Sequence, residues 1–137
     1  MTAATQFIDA TASRHIGTYS DAVAIPTSAT HVALSATPGV RPDRTRPEDF
    51  AEEAWQASDN VCEAPRCAGA ELSNIVQVRS WLTDPGDIDA CLEVRKDVIS
   101  HRPVRMLAVV PQLIRPILRL EIKVTAVVTH SAAKQRE

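Results

Sequence analysis

HRPVRMLAVVPQLIRPILRLEIKVTAV, residues 101–127, holds two runs of alternating side chains with a break between them. Residues 104–110 alternate around Arg105, and the two prolines at 111 and 116 interrupt the pattern. Residues 118–127 then alternate strictly. Leu118, Leu120, Ile122, Val124 and Ala126 form one row, and Arg119, Glu121, Lys123 and Thr125 form the other. A period of two marks a half-buried strand, so the segment reads as two strands joined by a short turn. The apolar row must lie on helices. The charged row carries the chemistry: a guanidinium held on a strand offers a rigid fork to a planar carboxylate. A carboxylate nearby orients a water or exchanges a proton. From the residues alone, the simpler reading of Arg105 and Glu121 is a cross-strand ion pair on a solvated sheet face.

Bulk properties narrow the function classes. A chain of 137 residues makes one domain large enough for a real core. A formal net charge of -2 and 4% aromatic residues give neither an electrostatic footprint for nucleic acid nor a platform for stacked bases. No apolar run approaches the roughly 20 residues that cross a bilayer. The first residues, MTAATQFIDATASRHIG, lack the basic start and apolar centre of a secretory signal. Cys62, Cys67 and Cys91 form an odd set without CxxC spacing, which reads as small buried thiols in a reducing cytoplasm. No zinc spacing and no GxSxG motif is present, and the four histidines are scattered as surface or edge residues, so neither a metal nor a cofactor is expected.

Read outward from that segment, residues 1–15 form a flexible N-terminal stretch, 16–129 a single domain and 130–137 a polar tail. Residues 19–25 and 31–34 are short strand candidates that suggest a hairpin. A breaker-rich loop, SATPGVRPD, covers 35–43. A helix starts near Pro47, with Thr45 and Glu48 as a capping box and Phe50, Ala54, Ala57, Val61, Ala64 and Ala68 as its apolar stripe. Pro65 kinks or ends it early, and Gly69 closes it. Residues 74–82 form a strand with Val76, Val78 and Leu82 on one face. Asp84, Pro85 and Asp87 open a second helix that runs to about Ser100 and buries Ile88, Cys91, Leu92, Val94 and Val98. The order β-β-α-β-α-β-β gives an α+β, two-layer fold with helices on one sheet face. The uncovered face is expected to carry Arg105, Leu107, Val109, Arg119 and Glu121, and its apolar members point to an oligomer interface.

The ordered set of strings IGTYSDAV (16–23), LSATPGVRPD (34–43), EDFAEEAWQASDNVCEA (48–64), AGAELSNIVQVRSWLTD (68–84) and RPVRMLAVVPQLIRPILRLEIKVTAV (102–127) resembles the RidA/YjgF, or L-PSP, family of reactive imine deaminases. The resemblance implies a chorismate-mutase-like fold assembled as a homotrimeric barrel, with helices outside and ligand clefts between subunits. It implies that Arg105, in the Pro-x-Arg string, grips the carboxylate of a small 2-imino acid. It implies that Glu121, in the Leu-Glu-Ile string, positions the attacking water. Tyr19 would line the cleft, and Ser35 and Ala36 would lie beside the ligand, as would Leu107. The implied reaction is hydrolysis of a 2-imino or enamine acid to a 2-oxo acid and ammonia.

The chain departs from the family at two of these positions. Ala36 stands where the family has a glycine that lets backbone approach the ligand. Leu107 stands where a Cys or Thr can hydrogen-bond it. These departures fit an alternative: the same scaffold acting on a larger carboxylated substrate in one pathway, or a non-catalytic trimer that binds a metabolite or a partner. The ribonuclease activity attached to some members fits the charge and aromatic content poorly.

Overall fold

In the computed structural model, which describes residues 4–129, a mixed five-stranded sheet carries two helices over one face. The elements are β1 (Gln6–Ile8), α1 (Ser13–Ile16), β2 (Ala22–Ala24), β3 (Thr30–Ala33), β4 (Thr37–Pro38), α2 (Phe50–Cys67), β5 (Ile75–Leu82), α3 (Ile88–Val98), β6 (Val104–Val109) and β7 (Leu120–Val128). The sheet runs β3-β7-β5-β6, with β4 also paired to β7. The pairing of β5 with β6 is parallel, and the others are antiparallel. The α+β class is as expected. The polar tail assigned to 130–137, with His130, lies outside the described residues.

The alternation of β7 works as read. Leu120, Ile122, Val124 and Ala126 are buried, and they meet Val78 and Leu82 of β5 and Phe50, Ala54, Ala57 and Val61 of α2 in one core. At about 25 cal/mol per Å² of apolar surface, this shared face is what holds the helices on the sheet. The α2 stripe ends on buried Pro65, and Ala64 and Ala68 are exposed. Pro65 sits in the last turn of α2, which stops two residues later, and Gly69 follows in the left-handed region at φ 82°.

Four local expectations need correction. Residues 101–127 are not neighbouring strands joined by a turn, because β5 lies between β6 and β7. The first two strand candidates do not form a hairpin. β2 pairs with β1 and β3 with β7, so His31 is opposite Val127 rather than a residue of β2. The helix cap is Asp49, whose carboxylate accepts from the Glu52 N–H at 3.2 Å. Thr45 lies four residues ahead of that cap, too far from the first helical N–H groups, and its hydroxyl donates to Asp43 at 2.6 Å within the preceding turn. Leu92 of α3 is exposed rather than buried. Among the described residues, no helix is long and apolar enough to cross a membrane.

Glu53 was missed by the sequence reading. It is fully buried at the start of α2, accepts from Arg46 at 3.0 Å and from the Arg119 backbone N–H at 2.8 Å, and so ties α2 to the entry of β7. Arg119 was expected on the open face. Its guanidinium instead donates to both oxygens of Asp87 at 2.8 Å and lies 5.1 Å over the Phe50 ring.

Candidate active site

β6 is an edge strand, and its parallel register on β5 decides where Arg105 points. Val78 is opposite Arg105, and Ser80 is opposite Leu107. Residues opposite one another in a sheet project to the same side. Val78 and Ser80 are buried under the helices, so Arg105 and Leu107 face the helical layer at the sheet edge. The expected placement of Arg105, Leu107 and Glu121 on one uncovered face is therefore corrected.

There Arg105 lies in a cleft of about 680 Å³ between α3, β6 and the turn after α1. Tyr19, Leu92, Arg95, Ile99, Arg105 and Leu107 are among its lining residues. Tyr19 is held by its backbone, whose carbonyl accepts from Arg102 at 3.2 Å. The Nη2 of Arg105 donates to the Ile99 carbonyl at 3.2 Å, and its Nε and Nη1 are shielded from solvent with no hydrogen-bond partner. Burial, then repulsion from Arg95, lowers the Arg105 pKa to about 10. The group is cationic at neutral pH and has no acidic side chain paired with it among the described residues. A half-buried cation in this state gains strongly from an anion.

Glu121 lies elsewhere. It is opposite Trp81 of β5 and Pro38 of β4, on the face of β7 turned away from the helices. On β5, Val78 marks the level of Arg105 and Trp81 that of Glu121. Two strand spacings of about 4.8 Å and an offset of about 10 Å along the strands put their Cα atoms roughly 14 Å apart. Their side chains leave opposite faces, which also removes the cross-strand ion pair. Ser35 and Ala36 are exposed in the loop between β3 and β4, beside β7 and on Glu121's side of the sheet order. The six candidate residues thus fall into two groups within one chain. Tyr19, Arg105 and Leu107 are at one edge, and Ser35, Ala36 and Glu121 are towards the other.

The model of the family described as Endoribonuclease L-PSP matches residues 10–128. The chain belongs to the RidA/YjgF family. Among solved structures, RidA from an Antarctic Psychrobacter is 27% identical, with 93% of this chain and 99% of that chain covered at a TM-score of 0.68. Yeast Mmf1 is 27% identical, with 89% and 92% covered and a TM-score of 0.68. Rv2704 of Mycobacterium tuberculosis, a member of the YjgF/YER057c/UK114 family, is 27% identical, with 91% and 100% covered and a TM-score of 0.65. Comparison with curated proteins finds no match.

The rest of the cleft wall was not anticipated. Arg95 follows Cys91 by four residues, so helical periodicity alone puts it beside that buried thiol. His101 lies at the cleft too, where its Nε2 is 2.6 Å from the Ile75 carbonyl and its ring is edge-on to Phe7. Both contacts are structural. Of the three cysteines, Cys91 is buried, Cys62 is half-buried and Cys67 is exposed, so the expectation of three buried thiols holds for Cys91 alone.

Proposed function

We propose that this protein is a cytoplasmic hydrolytic deaminase that converts 2-imino and enamine acids to 2-oxo acids and ammonia. The observation that carries the reading is Arg105, a half-buried guanidinium with unpaired Nε and Nη1 donors in a cleft of substrate size. Family membership supports it, and the Psychrobacter neighbour is itself named RidA.

In this reading Arg105 turns from the Ile99 carbonyl and takes the substrate carboxylate bidentately, which fixes the imine carbon. Tyr19 and Leu107 flank the substrate in the cleft. The water oxygen adds to that carbon, the carbon–nitrogen bond breaks, and ammonia leaves as the oxo group forms. The water supplies the oxygen, and its two protons complete ammonia. The electrophile is already present in the substrate, so orientation and a proton route suffice. Glu121 positions the water. Since it lies on the other face of its own sheet, it reaches the substrate from a second copy, together with Ser35 and Ala36. Family membership supports three copies as the working unit, a homotrimer with clefts between subunits. Head-to-tail contacts of this kind close into a ring when the rotation between copies closes.

The test generates 2-imino acids in situ with an amino acid oxidase and follows them by semicarbazide trapping, with wild type beside Arg105→Ala. Loss of trapped imine with wild type alone establishes the activity and its anchor. Full activity in a folded Arg105→Ala protein overturns the reading. A second reading, the same scaffold serving a larger carboxylated substrate, is favoured by Leu107, which makes the cleft wall more apolar. Turnover confined to imines with large side chains is its signature.

A further inference from the structure

The charged groups around the cleft are of nearly one sign. Arg95, Lys96, Arg102 and Arg105 line it, against Glu93 as the single acidic lining residue. Arg102 is already paired, with Asp9 at 2.7 Å. Lys96 is exposed at the rim, where water solvates it. Arg95 and Arg105 are the two cations set into the wall, both half-buried. Arg95 has no ion pair among the described residues. Burial pulls its pKa down, and the nearby Cys91 thiol offsets this only in part. The acid nearest in sequence on the buried side of α3 is Asp87. Both of its oxygens are occupied by Arg119 at 2.8 Å, so it is not free to neutralise Arg95.

Two guanidinia in one wall, neither ion-paired among the described residues, repel each other and lose hydration, and both costs fall on the folded state. Clefts lined by one sign of charge with apolar walls concentrate counter-ions of the opposite sign. One carboxylate relieves Arg105. It leaves Arg95, on α3 across the wall from β6, still unpaired. A ligand whose side chain ends in a second acidic group satisfies both.

We infer that the cleft selects dianionic substrates, in which Arg105 holds the carboxylate next to the imine and Arg95 holds a second carboxylate at the end of the side chain. This rests on the deaminase reading for the reaction, and on the cleft geometry for the ligand class. The substrates it names are 2-imino diacids, for which the imine of glutamate serves as the probe. Arg95 is a specificity-determining residue on this account, because it discriminates by charge where Leu107 and Leu92 discriminate only by apolar contact.

The experiment compares the imine of glutamate with that of norvaline, which has the same chain length and no second charge. The readout is the ratio of the two kcat/KM values in wild type, Arg95→Gln and Arg95→Lys, with thermal unfolding as the check on folding. A charge-assisted contact is lost in Arg95→Gln, so the ratio falls about tenfold or more, while Arg95→Lys keeps most of it. A parallel arm measures melting shifts with 2-oxoglutarate and 2-oxopentanoate, which need no turnover. If both imines are consumed and the ratio ignores Arg95→Gln, the dianion inference is overturned and the deaminase reading stands. If no imine is consumed but 2-oxoglutarate alone raises the melting temperature, and only with Arg95 present, the reaction is wrong and the dianion site is supported. If neither arm responds, both fail.

Discussion

Arg105→Ala and Glu121→Gln should each be inactive alone and recover activity when mixed. The two residues are about 14 Å apart by strand spacing and register, and they leave opposite faces of one sheet. A small 2-imino acid cannot bridge that gap through a core. In the proposed deaminase, each site therefore combines Arg105 of one copy with Glu121 of the next. Loss of a bidentate charge-assisted pair costs roughly 3 kcal/mol, so homogeneous Arg105→Ala should retain about one-hundredth of wild-type activity or less. In a randomly assembled equal mixture, half of the sites have Arg105 on their first side and half have Glu121 on their second. About one quarter of the sites are then intact, provided the ring is closed and head-to-tail. Co-expressed variants, with mixing verified by native mass spectrometry, should show that recovery in the trapping assay. Activity should follow the product of the two fractions as the ratio is varied, with its maximum at equal mixing. Verified hybrids no more active than their parents at any ratio would refute the split site.

Further outcomes follow from the same contacts. Removing Glu53 leaves Arg46 and the Arg119 N–H without their buried partner, so Glu53→Ala should cost about 3 kcal/mol or more. At about 2.1 cal/mol/K per residue, that lowers Tm by roughly 10 °C in calorimetry, and a drop under about 2 °C would show that the clasp is dispensable. The Arg105 pKa, lowered to about 10 first by burial and then by Arg95, sets a pH dependence. Since the charged form is the one disfavoured on folding, the group detracts from stability below about 10, and that penalty lifts as pH rises from there into the ordinary arginine range. Carboxylate binding has the opposite sign. Calorimetry with 2-oxobutyrate should show a constant Kd at neutral pH and weakening above about 10, and Kd unchanged well above that value would remove Arg105 as the anchor. Burial raises the pKa of the Cys91 thiol, and desolvation raises that of half-buried Cys62 to a thiol less ready to ionise. An aromatic disulfide reagent should therefore modify exposed Cys67 first and Cys91 only on unfolding, and early labelling of Cys91 by mass spectrometry would contradict this packing.

Much of the fold was legible because it rests on apolar periodicity. Leu120, Ile122, Val124 and Ala126 alternate in the sequence and are buried in the sheet, and Phe50, Ala54, Ala57 and Val61 recur at helical spacing and bury against them. Pairing partners were less legible. The early strands at 22–24 and 30–33 are close in sequence, as hairpin strands are, yet each pairs with a different partner. The Asp49 cap was hidden by Thr45, which fits a capping pattern in sequence but lies four residues ahead of where the helix starts. Glu53 gave no signal, because a buried acid on a helix is indistinguishable in sequence from a solvated one until its partners are known.

The site was harder for a reason peculiar to sheets. Alternation tells which residues of one strand share a face, but it does not say which face of the next strand they join. Arg105 and Glu121 each sit correctly within their own strand's alternation. Placing them on one face assumed that β6 and β7 are neighbours. The insertion of β5 between them breaks that assumption, since Arg105 takes its side from Val78 and Glu121 takes its side from Trp81. Val78 and Trp81 are an odd number of residues apart on one strand, so they face opposite ways. The same register that denies a single-chain site also sets its remedy. Arg105 on the helical side of an edge strand and Glu121 on the open side of a central strand can face each other only when one subunit's edge is laid across another's open face.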